Sequence, residues 1–237
     1  MNAYQTVNND DILLKLCHSV SHVLSSTSAS HVTHAGMVQS ISRTRLKPDL
    51  GCFSIFDGGF SGLVVINFSA DAAIEIYRRY MINMGMPETE LAFSHTSDDV
   101  ANVMGELMNQ ILGDFIGKIS KELQTSISQS QPKMLTINKE LTISVDTNLD
   151  NAVARRVSFR TENNHIFYLE FAMDKTEFMR SEDFEMDEEF DPDSLFESHR
   201  QSESKAPKSS KPTPKQDTNV KGVAIAEADN LLDELGL

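Results

Sequence analysis

The chain has 237 residues, 40% of them hydrophobic, enough for one domain with tails. Its formal net charge of −14 argues against nucleic acid or an anionic membrane as a general partner. No run approaches the ~20 apolar residues of a membrane span. The opening MNAYQTVNND has neither a basic start nor an apolar core, so a cytoplasmic protein without a secretory signal is expected.

Residues 8–26 read as a first helix. Asn8 or Asn9 suits its cap, Asp10 and Asp11 suit its first turn, and Ile12, Leu13, Leu16, Val20, Val23 and Leu24 make its inner face. His18 and His22 stand at i, i+4, a spacing that can hold a metal. No HExxH and no third ligand accompany them, so two partly exposed helix histidines are expected and no metal centre. Cys17 and Cys52 both lie among apolar residues and form no CxxC, the pattern of buried thiols rather than a disulfide.

Residues 31–42, 51–56 and 60–68 are rich in β-branched and aromatic residues and read as strands, with Asp57-Gly58-Gly59 as a hairpin turn. A phosphate-binding loop at Gly58, Gly59 and Gly62 is the competing reading. It is disfavoured because no GK[ST] follows and strands flank the glycines. Ser69 caps a helix over residues 70–84, which Gly85 stops before Pro87.

The longest segment with one clean period is Thr96–Gln124. On a helix, Val100, Met104, Met108, Ile111, Leu112, Phe115 and Ile119 form a broad buried stripe. Thr96 is the expected N-cap. Asn102, Glu106, Asn109, Gly113, Gly117 and Ser120 fall on the opposite side. Each glycine costs about 1 kcal/mol relative to alanine in a helix. The two remove side chains beside the Glu106/Asn109 pair, which suits a helix that another molecule approaches closely. An ordinary solvated helix face is the plainer reading of the same residues.

Ser126–Gln131 then reads as a polar loop ending at Pro132. Residues 134–137 and 141–145 read as short strands, and residues 154–161 and 165–173 as a last hairpin turning at Glu162-Asn163-Asn164. This order predicts an α+β domain, two or three helices on an antiparallel sheet. Composition changes after Asp174. Residues 181–193 carry eight acids and no base, and residues 197–221 are rich in Ser, Lys and Pro. Both read as linker. Residues 222–237, GVAIAEADNLLDELGL, return to helical periodicity. An amphipathic peptide on a tether is the usual form of a helix that folds into a partner's groove, and docking on its own domain is the alternative. The division expected is a domain at 1–175, a linker at 176–221 and a partner-binding peptide at 222–237.

Glu106-x-x-Asn109, followed after 22 residues by Pro132, resembles the active-site pattern of the CheC/CheX/FliY family of chemotaxis phosphatases. The string Gly105-Glu106-Leu107-Met108-Asn109 with Gly113 is similar to CheX in particular, as is the run GGFSGLVVINFSADAA. The first helix lacks a second ExxN, and a single site is the CheX-like arrangement. Where the family has Asp or Ser four residues before the Glu, this chain has Asn102. The resemblance covers about residues 8–175 and implies a CheX-like fold. It also implies hydrolysis of the aspartyl phosphate of a CheY-like response regulator. Asn109 would orient the attacking water and Glu106 would dock on the partner's active-site Lys. Asn102, Gly113 and Pro132 would support the site. Any Mg²⁺ would belong to the partner, so the chain needs no cofactor of its own, and a homodimer through sheet edges is a further implication.

The end of the chain, Asp229-Asn230-Leu231-Leu232-Asp233-Glu234-Leu235-Gly236-Leu237, resembles the C-terminus of CheZ proteins, which binds phosphorylated CheY. Leu237 stands in place of the usual terminal Phe. The resemblance implies that Leu231, Leu232, Asp233, Leu235 and Leu237 hold the regulator. A linker of roughly 40–50 residues would then span about 35–40 Å and give an effective concentration near millimolar. A non-catalytic module that binds a regulator or joins a signalling or motor complex is the alternative function. The acidic run could also mimic a partner or inhibit in cis.

Overall fold

The computed structural model describes residues 6–145, 148–149 and 151–179. The acidic run, the Ser/Lys/Pro segment and the peptide at 222–237, with Leu231, Leu232, Asp233, Leu235 and Leu237, lie outside the described residues. The elements begin with β1 (Thr6–Asn8), α1 (Asn9–Ser28), β2 (Thr33–Ile41), β3 (Thr44–Leu46), β4 (Leu50–Gly58) and β5 (Gly62–Phe68). Next come α2 (Ala70–Asn83), a 3₁₀ turn at Glu88–Glu90 and α3 (Asp98–Leu123). The chain continues through β6 (Ile127–Gln129), β7 (Lys133–Thr136), β8 (Ile143–Val145), β9 (Val153–Arg160), β10 (Ile166–Met173) and β11 (Glu177–Met179). The α+β class is as expected.

Each helix starts on a side-chain cap. The Asn8 Oδ1 accepts from the backbone N–H of Asp10 (2.8 Å) and Asp11 (3.1 Å), and the Asp11 carboxylate accepts from the N–H of Asn8 (2.9 Å). Ser69 caps α2, which runs out into Gly85 at φ +89°. Ser97, not Thr96, caps α3: its Oγ accepts from the Val100 N–H at 3.3 Å. Thr96 lies one residue too early, and its hydroxyl pairs with that of Ser94 at 2.7 Å.

The main sheet is antiparallel, in the order β2-β9-β10-β5-β4, with β6 and β7 both on the outer edge of β4. The three helices cover one face. Between them and the sheet lies the larger core, including Leu16, Ile66, Ile76, Met104, Phe115, Phe159 and Phe171. The ribbon β3–β8 covers part of the other face over Leu46, Leu63, Val65, Ile137 and Ala172. Every residue of β5 is therefore buried. A fully buried carboxylate on β10 fastens that ribbon: Glu170 accepts from Arg156 Nε (2.9 Å) and Nη2 (2.6 Å) and from the Arg45 N–H (2.8 Å). Such a charge is tolerated inside only because it is paired and hydrogen-bonded.

Three further differences from expectation have physical causes. The Asp57-Gly58-Gly59 turn is longer, because β4 runs through Gly58 and residues 59–61 make the connection. The two glycines are needed for close approach: a Cβ on Gly58 or Gly59 would collide with Ser126 or Thr125, just after α3. Residues 126–131 are not wholly loop, since Ile127–Gln129 pairs with the end of β4. Order also extends past residue 175, where β11 pairs with β1 and Phe178 packs edge-on to Phe60 at 5.6 Å. No helix among the described residues is long and apolar enough to cross a membrane.

Candidate functional site

The buried stripe of α3 is as the period predicts, with Leu107 added. The exposed side divides into two parallel rows, because residues four apart stack along a helix. One row is Asn102, Glu106, Gln110, Asp114 and Lys118. It is polar throughout and bonds to itself: Gln110 Nε2 donates to Glu106 Oε1 at 3.1 Å, and Lys118 Nζ donates to Asp114 Oδ2 at 2.6 Å. The other row is Gly105, Asn109, Gly113 and Gly117. Its one side chain is the Asn109 amide, half-buried, and neither of these hydrogen bonds involves it.

The glycines of this bare row do not answer a need of the fold. A Cβ on Gly113 or Gly117 would meet nothing within 4 Å, and one on Gly105 would meet Met134 Cγ at 3.5 Å, an ordinary contact. The fold leaves a helix surface stripped of side chains on both sides of one amide.

The flanks come from two other elements. Asp114 lies toward α1. Burial alone would push its carboxyl up, but Lys118, the Ser19 hydroxyl and His22 outweigh burial and hold it below its ordinary value. On the far side, β7 carries Met134 to Gly105. Pro132 is not on the helix. It sits in an edge-strand bulge, where Ser130, Gln131 and Pro132 face only Ser54 and Ile55 of β4, between the pairs Phe56↔Gln129 and Phe53↔Lys133. Ser130 closes the bulge, with its Oγ accepting from the Ile55 N–H (3.0 Å) and its carbonyl accepting from Ser54 Oγ (2.8 Å). A residue without an N–H fits where the ladder is interrupted.

Asn102, Glu106, Asn109 and Gly113 thus share one exposed face, and Pro132 shapes the strand that borders it. Gln110 and Met134 were missed by sequence reasoning. Gln110 was visible as an amide four residues past Glu106, whereas Met134 depends on the β4–β7 register. Among the described residues no group of three or more His, Cys, Asp or Glu could hold a metal ion. His18 instead lies beside His34 of β2, with ring centroids 5.7 Å apart. Cys17 and Cys52 are free and buried, and burial pushes the Cys17 thiol up to about 12 and Cys52 up as well.

The sequence of the DUF3334 family, described as a protein of unknown function, matches residues 3–237. The chain belongs to that family. No curated protein matches it. Among solved structures, CheX from Desulfovibrio desulfuricans is similar at a TM-score of 0.57 and 19% identity, over 69% of this chain and 99% of that one. A CheC-like protein from Shewanella sp. PV-4 is similar at 0.57 and 16%, over 70% and 99%. CheX from Vibrio vulnificus is similar at 0.54 and 12%, over 69% and 99%. At such identities the likeness shows a shared fold: the described domain has the CheX/CheC-like architecture expected from the Glu106/Asn109/Pro132 pattern.

Proposed function

We propose that this DUF3334 chain dephosphorylates the aspartyl phosphate of a CheY-like response regulator, with Asn109 as the water-orienting residue and Glu106 as the docking residue. The observation that carries this reading is the lone Asn109 amide in an otherwise bare helix row, beside a carboxylate already held by a neighbour. The CheX-like fold and the names of the similar proteins, which are chemotaxis proteins, support it.

The chemistry asks little of the protein beyond positioning and charge. A water oxygen bonds to phosphorus in line with the departing carboxylate. The P–O bond to the Asp breaks, and its electrons leave with that carboxylate. The water's protons pass to phosphate oxygens and solvent, and inorganic phosphate is released. An amide can donate to and accept from this water without bringing a charge against the phosphoryl oxygens. Glu106, paired with a partner Lys, would set orientation and register more than raw affinity. The bare row leaves room for the partner's backbone. Any Mg²⁺ is the partner's own.

The test is phosphate release from a phosphorylated CheY-like receiver. Asn109→Ala should lose roughly 100-fold or more in rate, the scale of a mispositioned reactant, while still binding the receiver. Full activity in that variant shows the site is misassigned. The peptide at 222–237 is proposed as a tether for the same receiver, so its deletion should raise KM. An unchanged kcat/KM counts against the tether.

A second reading, a regulator-binding module without hydrolysis, is favoured by Asn102, which stands where the resembling pattern has Asp or Ser. It predicts binding without phosphate release in the wild-type chain. A homodimer joined through β2, an edge strand of the sheet, is a separate proposal that a mass measurement in solution tests.

A further inference from the structure

The two rows of α3 treat their functional candidates in opposite ways. Asn109 has glycine at both i−4 and i+4, so nothing on its own row steadies the amide. Glu106 has Asn102 at i−4 and Gln110 at i+4, and it is Gln110 that bonds to it, at 3.1 Å. Helix side chains lean toward the N-terminus, so a residue at i+4 reaches back over residue i, while one at i−4 leans away. Gln110 is therefore placed to hold the Glu106 carboxylate, and Asn102 is not.

The residue type is informative too. A Lys or Arg at 110 would neutralise Glu106 and compete with any cation brought by a partner. An Asp or Glu would repel it. A glutamine occupies Oε1 through a neutral donor and leaves the negative charge, and Oε2, for another group.

We propose that Gln110 is a positioning residue: it orients Glu106 so that Oε2 meets a cationic side chain of the partner. This rests on the reading of Glu106 as the docking residue. Its role lies in docking, because the hydrogen bond of Gln110 goes to Glu106 and not to Asn109. Free rotation of the Glu106 carboxylate then costs the encounter complex and leaves the chemical step alone.

The first test needs no partner. In the full chain, the NMR signals of the Gln110 side-chain amide should move as the Glu106 carboxylate is titrated, and should cease to do so in Glu106→Ala. The second uses steady-state hydrolysis of a phosphorylated CheY-like receiver. Gln110→Ala should raise KM about threefold and Gln110→Glu about tenfold, with kcat within about twofold of wild type, as loss of an orienting contact predicts. Gln110→Asn, too short to reach, should behave like Gln110→Ala. In a Glu106→Ala background, Gln110→Ala should add nothing. Equal effects with and without Glu106, or a fall in kcat at unchanged KM, overturn the proposal. So does an amide that ignores the titration. A wild-type chain that neither binds nor hydrolyses the phosphorylated receiver overturns the functional reading, and the role in docking with it. A wild type that acts, with Gln110→Ala indistinguishable from it, overturns only the role of Gln110.

Discussion

Helices α1 and α3 are alike in what they bury and unlike in what they expose. Both are long, both lie on the same face of the sheet, and Lys15 of one bonds Glu122 of the other at 2.6 Å. The inner face of each is an apolar stripe, which on α1 also buries Ser19 and Ser28. On the outer face, α1 has no glycine, and it shows Leu14, His18 and His22 to solvent. Its polar residues do structural work: Asn8 and Asp11 cap the helix, and Asp10 pairs with Arg155 at 3.2 Å. On α3, Gly113 and Gly117 weaken the helix and fill no tight space. A fold-forming face follows in the main from packing and capping. A face kept for another molecule carries choices that packing does not require.

That contrast can be broken from either side. The largest effects belong to the shared inner faces: Leu16→Ala on α1 and Phe115→Ala on α3 should each cost about 2–5 kcal/mol in denaturant unfolding. A much smaller loss in one of them would show that the helices do not bear on the core equally. Next come the glycines. Gly113→Leu should lower receiver affinity about tenfold by filling the bare row, without lowering stability, while Gly113→Ala should stabilise the fold by up to about 1 kcal/mol. Loss of stability in Gly113→Ala would show that the fold needs the glycine after all. His18→Ala, on α1, should change stability by no more than about 0.5 kcal/mol and leave hydrolysis untouched.

The smallest effect concerns acid. The Asp114 carboxyl is held below its ordinary value in the folded chain, so its contribution to stability is present above the unfolded value and fades as pH falls through the lowered one. Asp114→Asn should lower stability slightly at neutral pH, and its difference from wild type should vanish as pH falls through the lowered value. An unaltered acid limb would mean that the Lys118 pair is too solvated to matter.

Much of this was legible in the residues. Apolar periodicity located the three helices of the described residues, and side-chain chemistry gave Ser69 as one cap and narrowed another to Asn8 or Asn9. The period of residues 96–124 put Glu106 and Asn109 on the outer side of one helix, where they lie. What was not legible depended on tertiary register. Thr96 and Ser97 are equally good caps on paper, and only the backbone turn at Ser94–Ser97 chooses between them. Ile127–Gln129 is too polar to read as a strand, yet it pairs with β4 because α3 delivers it there. Residues 141–145 read as a strand, but Thr44–Leu46 is too short to signal its partner in the ribbon, which the buried Glu170 secures from a strand more than a hundred residues from Arg45. The division of the outer face of α3 into a bonded row and a bare row was present in the sequence as Gly105, Gly113 and Gln110. Gly113 and Gly117 mark the bare row by their lack of a side chain, whereas Gln110 looks like any solvated helix residue until its bond to Glu106 is seen.

The burial of every residue of β5 has a consequence for how the chain reaches its native state. One neighbour, β4, is adjacent in sequence, but the other, β10, pairs Phe167 with Phe68 and is separated from β5 by α2, α3 and four strands. Until β10 arrives, β5 is an apolar strand with an open edge. Such distant pairing makes folding slow, and an unpaired apolar edge invites association with other chains. A chain cut before Ile166 would keep all of α3, with Glu106 and Asn109 on it, and would lack the strand that closes the sheet beneath them. The site can be mutated one residue at a time, but it cannot be isolated from the hairpin that completes the domain.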